Sequence, residues 1–349
     1  MSKLEVKSAG PATSVQDAGR FGAQRYGLVP SGAMDRTALV IANCLVGNAA
    51  FDAAIEIGPL SATFTAHDGP LRVALAGATR NGVIEGKPVS LNQTVVLHEG
   101  ETLILGPARR GVFSYLAIEG GITGEPVFGS LSVTARSGLG SPFPRPLQAG
   151  DWLEVGTATA SPHEHGLDIP LPSAGPIRVV MGPQDDEFGD SRELFLASDW
   201  RVSTTSDRMG YRLEGPRLTH NHGHNIVSDG TVDGSIQVPG SGQPIVLMKD
   251  RGTTGGYPKI ATVITADIGR MAQTQAGQTV RFKSVSIEAA QAEARAMYGF
   301  FLSLPGRIER ERKGGFDIGA LRDANVAGAV VNATDTATWQ SQATEGNVP

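Results

Sequence analysis

Apolar residues fall in short runs along the chain, interrupted by polar positions and bounded almost everywhere by Gly, Pro, Asn or Asp. That spacing predicts β-strands joined by tight turns. Candidate strands cover residues 4–8, 72–76, 94–97, 102–105, 112–118 and 152–155. Others cover 177–181, 235–238, 245–249, 261–266 and 279–282. All are rich in Val, Ile, Leu and Thr. So many short strands suggest closed or nearly closed β-barrels, which deal with unpaired sheet edges by closure.

Helices are few. Residues 35–46 carry Ala38, Leu39, Ala42 and Leu45 at helical spacing, with Asp35 placed to cap the free amides and Gly47 to end the run. Residues 187–196 form a weaker pattern broken by Gly189. Residues 286–304 give the clearest one: Ser286 is the N-cap, Ile287, Ala290, Ala294, Met297 and Phe301 share a face, and Pro305-Gly306 stops it.

An internal echo divides the chain. Gly69-Pro-Leu-Arg-Val73 resembles Gly175-Pro-Ile-Arg-Val179, and Gln148-Ala-Gly-Asp-Trp-Leu-Glu-Val155 resembles Gln275-Ala-Gly-Gln-Thr-Val-Arg-Phe282, in the same order but at different spacing. Either two related barrels or coincidence accounts for it. The stretch 156–173, rich in Pro, Ser, Thr and His, is the natural connector. The expected organisation is a first barrel region over 1–165, a second over 166–304, and an extension with a polar tail over 305–349. Within that extension, the small-residue stretch 318–333 is expected to pack as a final element.

Composition sharpens this picture. The chain has 45 glycines among 349 residues, well above the usual share of about 7%, yet no Gly-X-Y period; the excess reads as turns. A net charge of −5 argues against a nucleic-acid surface. The single cysteine, Cys44, excludes an internal disulfide or a cysteine-cluster metal site. Residues 1–7 show no apolar signal core, and no run approaches the roughly 20 apolar residues of a membrane span. The expectation is a soluble cytoplasmic protein with no membrane partner.

Two segments concentrate chemistry. Thr13-Ser-Val-Gln-Asp-Ala-Gly-Arg-Phe-Gly22 precedes Val29-Pro-Ser-Gly-Ala-Met-Asp35 and the first helix. A polar loop feeding a helix N-terminus can hold an anion, and Arg20 suits a carboxylate or phosphate. Equally, Asp17 and Arg20 can form a structural pair while Asp35 simply caps. Asp250-Arg-Gly-Thr-Thr-Gly-Gly-Tyr-Pro-Lys259 follows an apolar strand; Thr253, Thr254 and the Gly255 and Gly256 amides could cradle an oxyanion beside Lys259, or form a solvated turn. No GxxxxGK[ST] match exists, which excludes a Walker-type site. Asp207 and Arg208 either bind a ligand or lock a turn, and Gln237 either reads an amide or satisfies buried backbone. His220-Asn-His-Gly-His224 would put three imidazoles on one face of a strand, which zinc could accept, or is polar surface; no metal ligand is assigned. His163-Glu-His165 in the connector is a weaker group of the same kind.

These segments, together with Ala42-Asn-Cys-Leu-Val-Gly-Asn48, Ser206-Asp-Arg-Met-Gly-Tyr-Arg-Leu-Glu-Gly215 and Gly234-Ser-Ile-Gln-Val-Pro-Gly240, resemble one family over roughly residues 10–300. It is the carboxyltransferase subdomain A and B family, also called allophanate hydrolase subunit 2, which includes the C-type subunit of bacterial 5-oxoprolinase. The resemblance implies a mainly β chain with two cyclophilin-like β-barrel domains and a few peripheral helices. It implies a smaller subdomain C/D-type partner (the B-type 5-oxoprolinase subunit) and a third subunit, acting with ATP and Mg²⁺ on a small amide, 5-oxoproline. The alternatives are a carboxyltransferase half serving a biotin-dependent urea carboxylase, and a regulatory protein that binds the smaller partner without turnover. The chain has no biotin-accepting Met-Lys-Met; its nearest match is Met248-Lys249 followed by Asp250. At the family-motif positions the chemistry of lactam opening points to Asp17, Arg20, Arg208, Asp250 and Lys259 as catalytic candidates. Gln16, Ser31, Gln237, Thr253, Thr254, Gly255, Gly256 and Tyr257 are the substrate-binding candidates.

Overall fold

The computed structural model describes residues 2–157, 164–169 and 175–311. The expected element at 318–333, the tail, most of the connector and His163 lie outside the described residues.

The first sheet has nine strands: β1 (Lys3–Ala9), β2 (Ser14–Gln16), β3 (Ala54–Ile57), β4 (Ala62–His67), β5 (Leu71–Ile84), β6 (Lys87–Pro88), β7 (Thr94–Leu97), β8 (Thr102–Ile118) and β9 (Trp152–Glu154). Its order runs β2-β3-β8-β4-β1-β9, with β5 pairing β6, β7 and β8. The second has eight: β10 (Ile177–Met181), β11 (Trp200–Val202), β12 (Gly210–Glu214), β13 (Ser235–Gln237), β14 (Ile245–Leu247), β15 (Lys259–Val263), β16 (Thr279–Val280) and β17 (Phe282–Ser284). The chain is thus mainly β, with two barrel-like sheets and few helices. No described helix is long and apolar enough to cross a membrane.

Two expected short strands, 102–105 and 112–118, are one strand of 17 residues. The Gly106-Pro107 and Gly111 breaks do not end it, because β5 and β8 absorb the irregularity as register shifts between Gly77 and Gly82. Strands at 14–16, 54–57, 62–67 and 200–202 are too short, or too polar in their alternation, to stand out in the sequence.

Period-2 alternation builds two cores from the same strands. Leu71, Val73 and Leu75 of β5, with Leu116 and Ile118 of β8, face the interior of the first barrel beside Phe64 and Ile55. The intervening Ala74, Ala76, Tyr115 and Ala117 face outward into a second core shared with α1 (Arg36–Leu45) and the second sheet. Each fully buried Leu, Ile or Phe contributes about 1.5–3 kcal/mol. Small residues on that outer face let α1 lie close. At Gly77 a Cβ would meet the Phe113 carbonyl oxygen at 2.5 Å and the Ala38 Cβ at 3.2 Å, with φ +99°. Only glycine fits there.

Asp35 caps α1 as expected, accepting from the Ala38 amide at 3.1 Å, and the Gly47 amide closes the other end on Cys44. Cys44 is buried in this helix, and burial pushes its thiol up. The 187–196 pattern resolves into a 3-10 turn, Asp185–Phe188, and α2 (Ser191–Ala197), separated by Gly189 in a conformation that no helix continues. A short α3 (Ile268–Ala272) precedes α4 (Ile287–Ser303), which Ser286 caps through the Ala289 amide. Ile287 does not join the expected apolar face: it is exposed, because the face settles on Phe301 and Met297 at the other end. In both echoes the Gly-Pro pair opens a strand, at Leu71 and at Ile177.

One buried charge fastens the first barrel. Arg80 donates to the carbonyls of Leu60 (3.0 Å), Gly106 (3.1 Å), Ile57 (3.3 Å) and Gly58 (2.8 Å) and to Ser114 Oγ (2.9 Å). Burial pushes this guanidinium down to about 10. Arg80→Ala strands the buried carbonyls of Ile57 and Gly58 and takes the partner from two half-buried ones, and each buried unsatisfied group costs about 1–3 kcal/mol. The expected loss is at least about 3 kcal/mol in urea unfolding; an unchanged midpoint and slope would show that water replaces the guanidinium.

Candidate functional site

The outer face of the first barrel carries a buried carboxylate that no sequence pattern marked. Glu56 sits in β3 between Ile55 and Ile57, which face the barrel interior, so its side chain must emerge on the opposite face. There it is paired across the strands with Tyr115 of β8 and Ser14 of β2. Its Oε2 accepts from the Tyr115 hydroxyl (2.6 Å) and the Met34 amide (2.8 Å). Tyr115 in turn accepts from the Asp35 amide at 2.7 Å. Burial above all, and then the Glu56 and Asp35 charges, push the phenol well above its ordinary range, so it stays a donor.

Arg208 reaches this carboxylate from the second barrel. Its NH1 donates to Glu56 Oε1, its Nε to Asp250 Oδ2 (2.8 Å), and its NH2 to the Gly32 carbonyl (2.9 Å), Asp250 Oδ1 (3.1 Å) and Ser31 Oγ (3.2 Å). Burial alone would lower its pKa; the Asp250 and Glu56 charges outweigh it and raise it, so the guanidinium is held cationic. Ser31 Oγ lies 2.6 Å from Asp250 Oδ1 and 3.0 Å from the Val133 carbonyl.

The loop that presents Ser31 is built from close backbone crossings. Ser31 and Gly32 have φ of 54° and 94°, and Gly19 has 96°. A Cβ on Gly32 would meet the Ala18 oxygen at 2.8 Å, and one on Gly19 would meet the Pro30 oxygen at 2.8 Å. Asp17 clamps this crossing: its carboxylate accepts from the Gly19 (2.7 Å) and Leu131 (2.7 Å) amides and from the hydroxyls of Ser130 (2.6 Å) and Ser132. Arg20 is fully buried and donates to Thr134 Oγ1 (2.7 Å) and the Ser132 carbonyl, with its Nε unpartnered. Burial lowers its pKa against the pull of Asp17 and Asp250. Gln16 donates to Ser14 Oγ (2.9 Å) and the Val133 carbonyl (3.0 Å). Asp17, Arg20, Gln16 and Ser31 therefore share the 130–134 segment, and Ser31 links them to Arg208 and Asp250.

Lys259 does not join that group through any direct contact. Its Nζ donates to Asp229 Oδ2 at 2.7 Å, with Gln184 bonded to the same oxygen at 3.3 Å. Thr254 and Gly255 zip against Gly230 and Asp229, Thr253 accepts from the Thr231 amide, and Gly256 from the Ile226 amide. Gln237 Nε2 donates to the Tyr257 carbonyl at 3.4 Å and would collide with a Cβ on Gly255, at 2.2 Å. The Gly-rich turn is thus extended along residues 226–231, with Thr254 and Tyr257 reaching solvent.

The 253–256 turn does not form a nest of free amides for an anion, because it is zipped into a ladder, and the Asp17 carboxylate is spent on four donors. Lys249 cannot carry biotin: it is 4% exposed, with Nζ on Asp233. The three imidazoles do not share a strand face, since 218–226 is loop. His220 Nε2 meets the Val238 carbonyl at 2.9 Å, His222 meets Glu187 at 3.1 Å, and the His224 ring packs edge-on to His220. Among the described residues no group of three or more His, Cys, Asp or Glu is placed to hold a metal.

Comparison with known proteins places this arrangement. The family model described as carboxyltransferase domain, subdomain A and B, matches residues 26–284. This chain belongs to that family. The carboxyltransferase subdomain A and B match spans Ser31, Glu56, Arg208, Asp250 and Lys259, while Asp17 and Arg20 precede it. The chain is 39% identical over 311 residues to the C-type subunit of 5-oxoprolinase from Escherichia coli, covering 88% of this chain and 99% of that protein. It is 36% identical over 310 residues to the same 5-oxoprolinase subunit from Haemophilus influenzae, covering 88% and 98%. Among solved structures, the K. lactis urea amidolyase superposes with a TM-score of 0.81 at 27% identity, over 86% of this chain but 20% of that one.

The Arg208 junction generates a stability test. Arg208→Met leaves Glu56, which is 0% exposed, without its cation, and breaking a buried pair on one side costs about 3–5 kcal/mol. Adding Glu56→Gln should recover part of that loss in the double variant. Equal losses in Arg208→Met with and without the second change, by denaturant unfolding, would show that the pair is not coupled.

Proposed function

We propose that this chain is one component of an ATP-dependent 5-oxoprolinase, opening 5-oxo-L-proline to L-glutamate together with a smaller subdomain C/D-type protein (the B-type subunit) and a third subunit. The observation that carries this reading is the degree of identity. The chain is 39% identical to the C-type 5-oxoprolinase subunit of E. coli over 99% of that protein, against 27% to the urea amidolyase it superposes on.

The residues support a positioning role at a shared site. A lactam resists water because its nitrogen donates into the carbonyl; ATP with Mg²⁺, assigned here to a partner subunit, supplies the driving force for opening it. This chain contributes the polar wall. Ser31 and Asp250, fixed by Arg208, set the shape and charge of that wall from behind, their polar atoms bonded to one another, to Arg208 and to the Val133 carbonyl. Thr253, Thr254, the Gly255 and Gly256 backbone and Tyr257 line the adjoining turn, which Gln237 and Lys259 brace from beneath. Asp17, Arg20 and Gln16 hold the Ser31 loop in its left-handed conformation. Because Arg208 stays cationic, the Asp250 carboxylate remains paired with it during such a cycle.

The test is reconstitution. The chain co-purified with the proteins encoded beside it should release ADP in a 5-oxoproline-dependent manner, and omitting the chain should abolish that release. Turnover of urea that requires a biotin protein would move the assignment to carboxyl transfer. A stable complex with no turnover of any amide would make the chain a regulatory binding protein.

A further inference from the structure

A groove of about 1350 Å³ runs between the two barrels. One wall comes from α1, β5 and β8; the other comes from the second barrel and from Phe300 of α4. None of the candidate site residues is among those that line it. Sites for small molecules enclose roughly 300–1,000 Å³, so a groove of this size with walls from two barrels suits a stretch of chain.

Its walls are apolar. Ile41, Val280 and Phe282 are buried there, and Leu91, Leu196 and Phe300 are half-buried. Its charged groups are mostly cations: Arg110 from β8, and Arg270, Arg281 and Lys283 from the second barrel. Two of these are engaged. Arg270 donates to Asp267 (3.0 Å) and to the Gly175 carbonyl (2.6 Å), and Arg281 holds both carboxylate oxygens of Asp199. Arg110 and Lys283 are exposed, and no described acceptor holds either side chain. The carboxylates that line the groove are already taken: Asp199 by Arg281, and Asp35 by the Ala38 amide (3.1 Å) and Gln273 (3.0 Å). Among the described residues, the free charge along the groove is therefore positive, with one cation on each barrel.

We propose that this groove is the docking site for an acidic segment of the smaller subdomain C/D-type subunit. Apolar side chains of that segment pack on Leu91, Leu196 and Phe300, and its carboxylates meet Arg110 and Lys283. The inference rests on the oxoprolinase reading for the identity of the partner, and deepens it by naming the face that receives it. A second copy of this chain is the poorer occupant, because a two-fold pair would set the same cations against each other.

The test follows association and dissociation of the full chain and the smaller subunit on a biosensor, at low and at moderate salt. Arg110→Glu combined with Lys283→Glu should weaken the complex about tenfold or more at low salt, mainly through slower association. That gap should narrow as added salt screens the charges. Lys87→Glu, which reverses an exposed cation of β6 that does not line the groove, should leave the affinity unchanged. Arg110 and Lys283 hold nothing in place, so the urea midpoint of the double variant should match the wild type. Equal affinity in the double variant and the wild type overturns the docking site. So does an equal loss in Lys87→Glu, or no complex at all. Turnover in the same preparations separates the two readings. A complex that needs both cations yet opens no 5-oxoproline overturns the oxoprolinase reading alone. Ring opening by a complex indifferent to both reversals overturns the docking site alone.

Discussion

A guanidinium withdrawn from water between a carboxylate on the first sheet and one in a turn of the second barrel fixes where the barrels of this chain meet. Arg208 comes from the second barrel; Glu56 and the Gly32 carbonyl belong to the first, and Asp250 to the second. Desolvating those charges costs several kcal/mol per ion, and only good geometry on every donor repays it. Any sliding of one sheet against the other would break the Glu56 contact while leaving the Asp250 contact whole. The junction therefore selects one docking geometry, and the loop carrying Ser31 is trapped within it.

A second strut runs beside the first. Gln273, from the second half, accepts from the Val112 (2.7 Å) and Phe113 (3.0 Å) amides and donates to the Phe113 carbonyl (2.8 Å) and Asp35 Oδ2 (3.0 Å). Its amide thereby acts as a peptide group patched onto β8. Asp35 also caps α1, so helix start, β8 and the second barrel are tied to one carboxylate. Burial raises the Asp35 pKa against those donors. That places a group sensitive to loss of any one partner at the seam.

How much of this could be read from sequence follows from which signals are local. The caps of α1 and α4, Asp35 and Ser286, and the strands at 94–97 and 177–181 need only neighbouring residues, and they emerged where expected. The long β5–β8 ladder was hidden because Gly106, Pro107 and Gly111 look like ends when each strand is read alone; only the partner strand shows that the ladder continues through bulges. Glu56 was hidden for a different reason. In Ala53-Ala-Ile-Glu-Ile-Gly58 a lone acid among apolar residues looks like a solvated strand position, and its burial depends on Arg208, 152 residues away. The signal was present all the same: a single charge on the second face of a strand whose first face is wholly apolar invites the question of what covers it. Sequence also grouped Lys259 with Asp250 by proximity in the chain, whereas the extended turn between them carries Lys259 to Asp229.

The turn at 249–251 shows why charge spacing mattered more than charge count. Successive side chains leave this turn in different directions, so Lys-Asp-Arg becomes an anion serving one cluster flanked by two cations serving another. The first cluster holds one cation, Arg208, between the two carboxylates of Asp250 and Glu56, and can act as rigid scaffold. The second sets two buried cations, Lys249 and Arg251, on the single carboxylate of Asp233. An average of charge over the same residues conceals both. Segregation of this kind divides the work of one turn: Asp250 bears the docking of the barrels through Arg208, while its two neighbours fasten Asp233 within the second barrel.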